Sequence, residues 1–241
     1  MTSRIILLLL VAVMSIGCAT TKQGADKTSS SVDPYEGFNR AVFSFNSGVD
    51  DYFLKPITKG YRFVTPDFVE NRVSSFFSNL LEVRNLLNSL LQGKGGQAVE
   101  HMGRFVFNST VGIAGLFDPA SNLGMEKLDG EDFGQTLGAW GVESGPFIML
   151  PFLGPSNVRD GLSIPVDMYA DPANYLENSS AKDGLTFLEV VDLRAKLLAV
   201  EKLLSGDRYV FIRDTYMQRR NYLIKDGEVK DTFGDNIKGD F

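Results

Sequence analysis

The chain has 241 residues, 44% of them hydrophobic, and a formal net charge of −6 at pH 7. That length supports one domain with a real core or two small ones. The acidic balance, with no Lys/Arg cluster to offset it, argues against a nucleic-acid partner and against electrostatic attraction to anionic headgroups. A single cysteine, Cys18, excludes an intrachain disulfide, and a single histidine, His101, narrows the chemistry open to the protein.

The first residues read as an export signal. Arg4 is the positive n-region, and Ile5 to Met14 is apolar throughout, interrupted only by small Ala12. This run is too short to span a bilayer as a helix and suits a signal peptide over residues 1–17. Its end, Gly17-Cys18, resembles a bacterial lipobox, although Ser15 stands where leucine is usual. Lipidation of Cys18 would remove a lone thiol, and more than one acyl chain, at ~0.8 kcal/mol per buried methylene, gives a stable anchor. The alternative is an ordinary signal peptide cut near Gly17 or Ala19. Ala19 is not the aspartate that retains Gram-negative lipoproteins at the inner membrane, which by resemblance points to the outer membrane, with the body on the periplasmic side.

Residues 18–33 are small and polar and read as a tether, ahead of a folded domain over 34–227 and a polar tail over 228–241. From Glu36 to Tyr52 the residues Phe38, Val42, Phe45, Val49 and Tyr52 alternate four and three apart, which is one helix face; Pro56 is expected to end it. Pro66 opens a second helix running to about Leu91, with an apolar stripe that begins at Val69 and is expected to be core from Val73 to Leu90. A third covers Gln97 to Asn108, with Val99, Met102, Phe105 and Val106 apolar. Residues 109–130 are turn-like, and a short amphipathic piece spans Asp132 to Leu137. Ser156 is expected to cap a helix reaching Pro165 or beyond, and Asp183 one over Leu185 to Leu204, with Asp192 and Lys196 as an i,i+4 pair. A last helix runs Arg208 to Lys225. No strand pattern competes, and the fold class is all-α.

The most informative stretch is Leu137 to Pro155, which carries one charge, Glu143. Gly138, Gly141, Gly145, Pro146, Pro151, Gly154 and Pro155 forbid a regular spanning helix. Between them Phe147, Ile148, Met149, Leu150, Pro151, Phe152 and Leu153 are all apolar. Irregular backbone needs hydrogen-bond partners, so such a segment sits at a bilayer interface, lines a cavity inside a protein ring, or crosses the core as a buried loop.

Several runs resemble the MlaA/VacJ family of outer-membrane lipoproteins. They are DPYEGFNRAVFSFN (Asp33 to Asn46), RFVFNSTVGIAGLFDPA (Arg104 to Ala120), EDFGQTLGAWGVESGPFIMLPFLGPSNVRD (Glu131 to Asp160) and YVFIRDTYMQRR (Tyr209 to Arg220). The resemblance implies a single ring-like bundle of amphipathic helices embedded at the membrane interface. It implies a channel through which mislocalised outer-leaflet phospholipid descends to a soluble periplasmic lipid carrier, association with a trimeric porin, and no cofactor. It implies too that Gly138 to Gly154 form a gating loop beside the channel. In the opening helix Phe38, Phe43 and Phe45 are expected to pack or meet membrane, while Asn39, Arg40 and Asn46 stabilise the helix, line the polar route or form a solvated face.

An envelope phospholipid-hydrolysing enzyme and a structural porin-tethering lipoprotein would occupy the same place. Against the enzyme stand the lack of a G-x-S-x-G elbow and the lack of a second histidine. His101 reads as structural or surface, and the carboxylate pairs Asp50-Asp51 and Glu131-Asp132 read as solvated.

Overall fold

Helix α1 (Glu36–Val49) forms as its apolar spacing requires, but Pro56 does not end the run. The backbone passes through a π-helical turn, Asp50–Leu54, straight into α2 (Lys55–Val64). A proline inside a helix removes one ladder donor and crowds the carbonyl four residues back. A π turn placed just before it opens the ladder where that crowding falls. The far helix α8 (Ser179–Glu201) clamps the bulge: Arg194 donates to both oxygens of Asp50 at 2.7 and 2.8 Å, and Lys55 reaches Glu201 at 2.6 Å. Asp50 is therefore docked, not solvated, and of the pair only Asp51 is exposed.

The computed structural model describes residues 33–201 and 206–228. The signal segment, Cys18, the tether up to residue 32 and the tail beyond Glu228 lie outside the described residues. Helices α3 (Asp67–Leu91) and α4 (Gly95–Thr110) fold back on each other around Gly93, which takes φ of 76°. Two short helices follow, α5 (Pro119–Asn122) and α6 (Phe133–Ala139), the second capped by Asp132, whose carboxylate accepts the Gln135 N–H at 2.8 Å.

Next comes a departure from the expectation of no strands. Strands β1 (Phe147–Leu150) and β2 (Gly154–Asn157) form an antiparallel hairpin, with Phe147 opposite Asn157 and Leu150 opposite Gly154. Helix α7 (Val158–Ala170) follows, capped by Asn157, which accepts the Asp160 N–H; Ser156, the expected cap, belongs to β2. Helix α8 likewise starts ahead of Asp183, with Asn178 accepting the Ala181 N–H, and its Lys196–Asp192 pair forms at 2.8 Å as expected. Helix α9 (Arg208–Ile224) is capped by Asp207.

Neighbouring elements close a circuit. Helix α1 lies on β1, β2 on α9, α9 on α6, α6 on α3, α3 on α8 and α8 on α2, which returns to α1 through the π turn, while α7 packs on α3, α6 and both strands. This is the all-α ring that the resemblance implies, with one small hairpin built in.

Burial around that circuit is inverted. Among the described residues the buried polar and charged side chains outnumber the buried apolar ones by more than two to one. On α3 the buried positions are Asn79, Glu82, Asn85, Asn88 and Ser89, joined only by Phe77. Leu87 and Leu90, expected as core, are exposed, because the face α3 turns to α4 is polar. There Glu82 takes His101 at 2.5 Å and Arg104 at 3.1 Å, and Asn79 donates to Ser109 at 2.9 Å. On α4 the buried stripe is Ala98, His101, Arg104 and Asn108, while Val99, Met102 and Val106 face outward. His101 is thus a structural residue.

Arg104 also donates to Asp118 at 2.8 Å, and Asn108 does so at 3.0 Å. Burial would push the Asp118 carboxyl up, but hydrogen bonds from Ser121, Arg104 and Asn108 hold it at about 2, well under the ordinary 3.8. A depressed carboxyl contributes stability that is full above its unfolded pKa and is lost as pH falls through the folded one. Wild-type protein is therefore expected to lose melting temperature between pH 4 and 2 more steeply than Asp118→Asn, as thermal melts across that window will read.

Candidate functional site

The opening helix and the hairpin are joined by two asparagines. Asn39 donates to the Phe147 carbonyl at 3.1 Å and accepts the Met149 N–H at 2.8 Å. Asn46 donates to the Leu150 carbonyl at 2.9 Å and accepts the Phe152 N–H at 2.9 Å. Seven residues of helix rise ~10.5 Å, and three residues of strand span ~10 Å, so the two amides match the strand's open edge. Edge groups that would otherwise need water are thus satisfied from α1. Pro155 lies opposite Met149 and needs no cross-strand donor bond there, while the Met149 N–H points away from the hairpin to Asn39.

The proposed gating segment consequently divides. Phe147 and Met149 are each 2% exposed and pack on Tyr209 of α9, with Val42, Phe43 and Tyr216 around them. Their side chains belong to the buried core. Ile148 and Leu150 are half-buried, and the tip Pro151, Phe152 and Leu153 is exposed, with Phe152 edge-on to Phe45 at 5.2 Å. Phe152 holds φ of 64° at the tip, uncommon for a bulky residue. Gly141, Gly145 and Gly154 take positive φ, as backbone geometry demands. Gly138 serves close packing instead: a Cβ there would meet Arg159 Nη1 at 2.8 Å.

The remaining opening-helix residues are placed as follows. Phe38 and Phe45 are exposed, and Phe43 is packed. Asn39 is fully buried, so it is no part of a solvated face. It also donates to Asp33 at 3.0 Å, and Asp33 in turn accepts the Tyr209 hydroxyl. Arg40 bridges Glu36 at 2.7 Å and Asp207 at 2.8 Å and lies over the Tyr209 ring, tying α1 to the start of α9.

An open cavity of about 330 Å³ is walled by α3, β2, α7, α9 and the Asp132 cap. Its inner end is a charge network. Arg220 donates to both Asp132 oxygens, at 2.5 and 2.8 Å, and through Nε to Asp160 at 2.7 Å. Asp160 also accepts from Tyr216 at 2.7 Å, Asn157 at 2.6 Å and Arg159 at 3.0 Å. Burial would raise the Asp132 carboxyl, but Arg220 outweighs it and holds it below the ordinary range. Burial and the Asp160 bond push the Tyr216 hydroxyl up. Gly134 keeps the space open, since a Cβ there would lie 2.5 Å from Asp160 Oδ1.

At the cavity's outer end sit Arg84, Asp167 and Asp171, rimmed by Ile164, Met168 and Pro155. Sequence reasoning placed none of these residues, nor Asp132, Asp160 or Arg220, at a site. Asp132 was expected to be solvated; it is paired, and Glu131 beside it is 4% exposed and bonded to Lys94 and Gln92. The available signal was the set of charges within the quoted runs Glu131 to Asp160 and Tyr209 to Arg220, which the fold gathers into one network.

Many large apolar side chains are exposed on the outer surface. Tyr52, Phe53, Ile57 and Phe63 are exposed on the π turn and α2, and Leu162, Val166 and Tyr169 on α7. Among the described residues no helix is long and apolar enough to cross a membrane. Exposed apolar area on this scale marks an interaction with lipid or protein, and amphipathic helices with such faces lie in a bilayer interface instead of spanning it.

Comparison with known proteins agrees with this architecture. Residues 31–223 match the model of the MlaA lipoprotein family. The Escherichia coli K12 protein named intermembrane phospholipid transport system lipoprotein MlaA is 34% identical over 235 residues, covering 95% of this chain and 92% of its own. The Haemophilus influenzae protein of the same name is 32% identical, covering 98% and 97%. A solved structure concerned with the structural basis for maintenance of bacterial outer membrane lipid asymmetry superposes with a TM-score of 0.71 at 34% identity, over 80% of this chain and 98% of that one. With motifs, fold and relatives in agreement over most of its length, the chain belongs to the MlaA lipoprotein family.

Proposed function

We propose that the protein removes mislocalised phospholipid from the outer leaflet of the outer membrane and passes it inward, as one component of an intermembrane phospholipid transport system. The inverted burial carries this reading. A ring whose outside is apolar and whose inside is a hydrogen-bonded polar wall suits a body seated in lipid with a polar route through it. Moving a charged headgroup past hydrocarbon is expensive, and the cavity lined by Arg84, Asp132, Asp160 and Arg220 lowers that barrier while acyl chains keep to apolar surface. The chemistry is transport rather than hydrolysis: the one histidine points its Nδ1 at Glu82 deep between α3 and α4, away from the cavity. Lipidation at Cys18 holds the body on the periplasmic side of the outer membrane. A trimeric porin surrounds part of the apolar exterior, and a soluble periplasmic carrier takes the lipid onward.

The test is the amount of phospholipid cleaved by an impermeant phospholipase added outside intact cells. Deleting the gene should increase it, and unchanged cleavage would overturn the reading. Within the same assay Phe152→Asp should behave like the deletion. Phe152 is 74% exposed at the hairpin tip, so a carboxylate there leaves the packed core intact while placing charge in the apolar surface beside Phe45. The variant should be anchored and melt like wild type. Normal retrieval by Phe152→Asp would remove the hairpin tip from the route.

A further inference from the structure

The outer end of the cavity has a charge pattern of its own. The inner carboxylates Asp132 and Asp160 are already met by Arg220 and Arg159, so the network there is closed. Three charged side chains remain at the outer end. Among the described residues Arg84 makes no salt bridge, and its Nε only donates to the Glu131 carbonyl at 3.3 Å. Asp167 accepts the Phe133 N–H at 2.9 Å and Asp171 the Ala173 N–H at 2.9 Å, and among the described residues neither makes a salt bridge. Glu189 on α8 lies close enough behind them to feel both Asp171 and Arg84. The outer end thus offers one uncommitted guanidinium and two uncommitted carboxylates, with a third carboxylate nearby.

We infer that this mouth selects phospholipids whose headgroup joins a phosphate to a primary ammonium, over those with a phosphate and an uncharged alcohol. The inference rests on the transport reading above and adds the substrate's headgroup. Arg84 takes the phosphate, for which a guanidinium fork is suited. Asp167 and Asp171 accept from the ammonium, which an ordinary surface would leave in water. An anionic headgroup has its phosphate met by Arg84 alone, faces two carboxylates with nothing to give them beyond a hydroxyl, and is repelled by the surplus negative charge. The cavity, at about 330 Å³, sits at the small end of ligand pockets. It holds a headgroup, and the acyl chains stay against Ile164, Met168 and the exposed Leu162 and Val166 of α7. Burial pushes the Asp167 carboxyl up, which an ammonium neighbour would reverse.

The experiment uses full-length, lipidated protein in cells lacking the gene. Phosphatidylethanolamine and phosphatidylglycerol exposed to the external phospholipase are quantified separately by mass spectrometry and normalised to the deletion strain. Wild type should clear phosphatidylethanolamine several-fold more effectively than phosphatidylglycerol. The double variant Asp167→Asn with Asp171→Asn should bring that ratio close to one. Met168→Lys, a change at an exposed position on the same rim, should tilt it toward phosphatidylglycerol without touching the buried network. Equal clearance of both lipids by wild type overturns headgroup selection while leaving transport intact. A ratio unmoved by Met168→Lys and by the double variant, at wild-type levels of anchored protein, overturns the assignment to this mouth. Clearance of neither lipid by wild type removes the transport reading along with it.

Discussion

Asp160→Ala is expected to destabilise the protein by about 3–5 kcal/mol, the range for breaking a buried ion pair by removing one partner. Asp160 is 7% exposed and accepts from side chains on β2, α7 and α9 at once, namely Asn157, Arg159, Tyr216 and Arg220. Without it Arg220 keeps Asp132, but Arg159 is left with only the Val142 carbonyl, and Tyr216 loses its acceptor. An unpaired buried guanidinium carries the larger part of the loss. Arg220→Met should cost a similar amount, since it leaves Asp132 and half of Asp160 uncompensated. If the groups act as one unit, the double variant will cost clearly less than the two single losses together. Chemical denaturation of detergent-solubilised protein measures all three. Additive losses, or a loss under about 1 kcal/mol, typical of exposed pairs, would mean that the network does not hold α6, α7 and α9 together.

Asn39→Asp is expected to be worse than Asn39→Ala, although it is the closer match in shape. Asn39 and Asp33 are 0% and 2% exposed, and the asparagine amide donates to that carboxylate and to the Phe147 carbonyl. Alanine leaves a few groups unsatisfied, at about 1–3 kcal/mol. Aspartate has no donor, turns a second carboxylate toward Asp33, and faces the Phe147 carbonyl with a negative oxygen. The deficit should then approach the roughly 3–5 kcal/mol of an uncompensated buried charge. The substituted carboxyl escapes by staying protonated, so its folded pKa is raised. Stability missing at neutral pH should therefore return as pH falls toward 4, the reverse of the acid loss expected at Asp118. Melting curves at pH 7 and pH 4.5 decide this: equal deficits at both would show that charge at position 39 is not the cause. Limited proteolysis should also cut the hairpin earlier, since the two amides of α1 hold its free edge.

Much was legible in the sequence wherever the cause is local. Apolar spacing, the proline at 66 and the glycine at 93 located most of the helices, because periodicity and chain breakers act within a few residues. Pro56 misled for a definite reason. A proline ends an unassisted helix, but here Arg194 and Lys55 clamp a π turn that absorbs the crowding, and those partners lie more than a hundred residues away from one another in the chain. The hairpin was missed because its four-residue strands carry little alternation and their stability comes from outside: Asn39 and Asn46 supply the edge bonds that a neighbouring strand would normally provide.

What the sequence determined by itself was an all-α chain with an irregular apolar segment, and motifs sufficient to place it in a family. What only the tertiary structure decided was which side of each helix faces in. An amphipathic stripe reports two unlike faces and not their surroundings, and a reader assumes water outside. On α3 and α4 the polar faces meet each other, Glu82 against His101 and Arg104, and the leucines and valines turn outward. That inversion is favourable only where every buried polar group finds a partner and the outside is not water. The first condition depends on residues brought together from distant parts of the chain, as Asp132, Asp160 and Arg220 are, and the second on the surroundings, so no local pattern could have announced either.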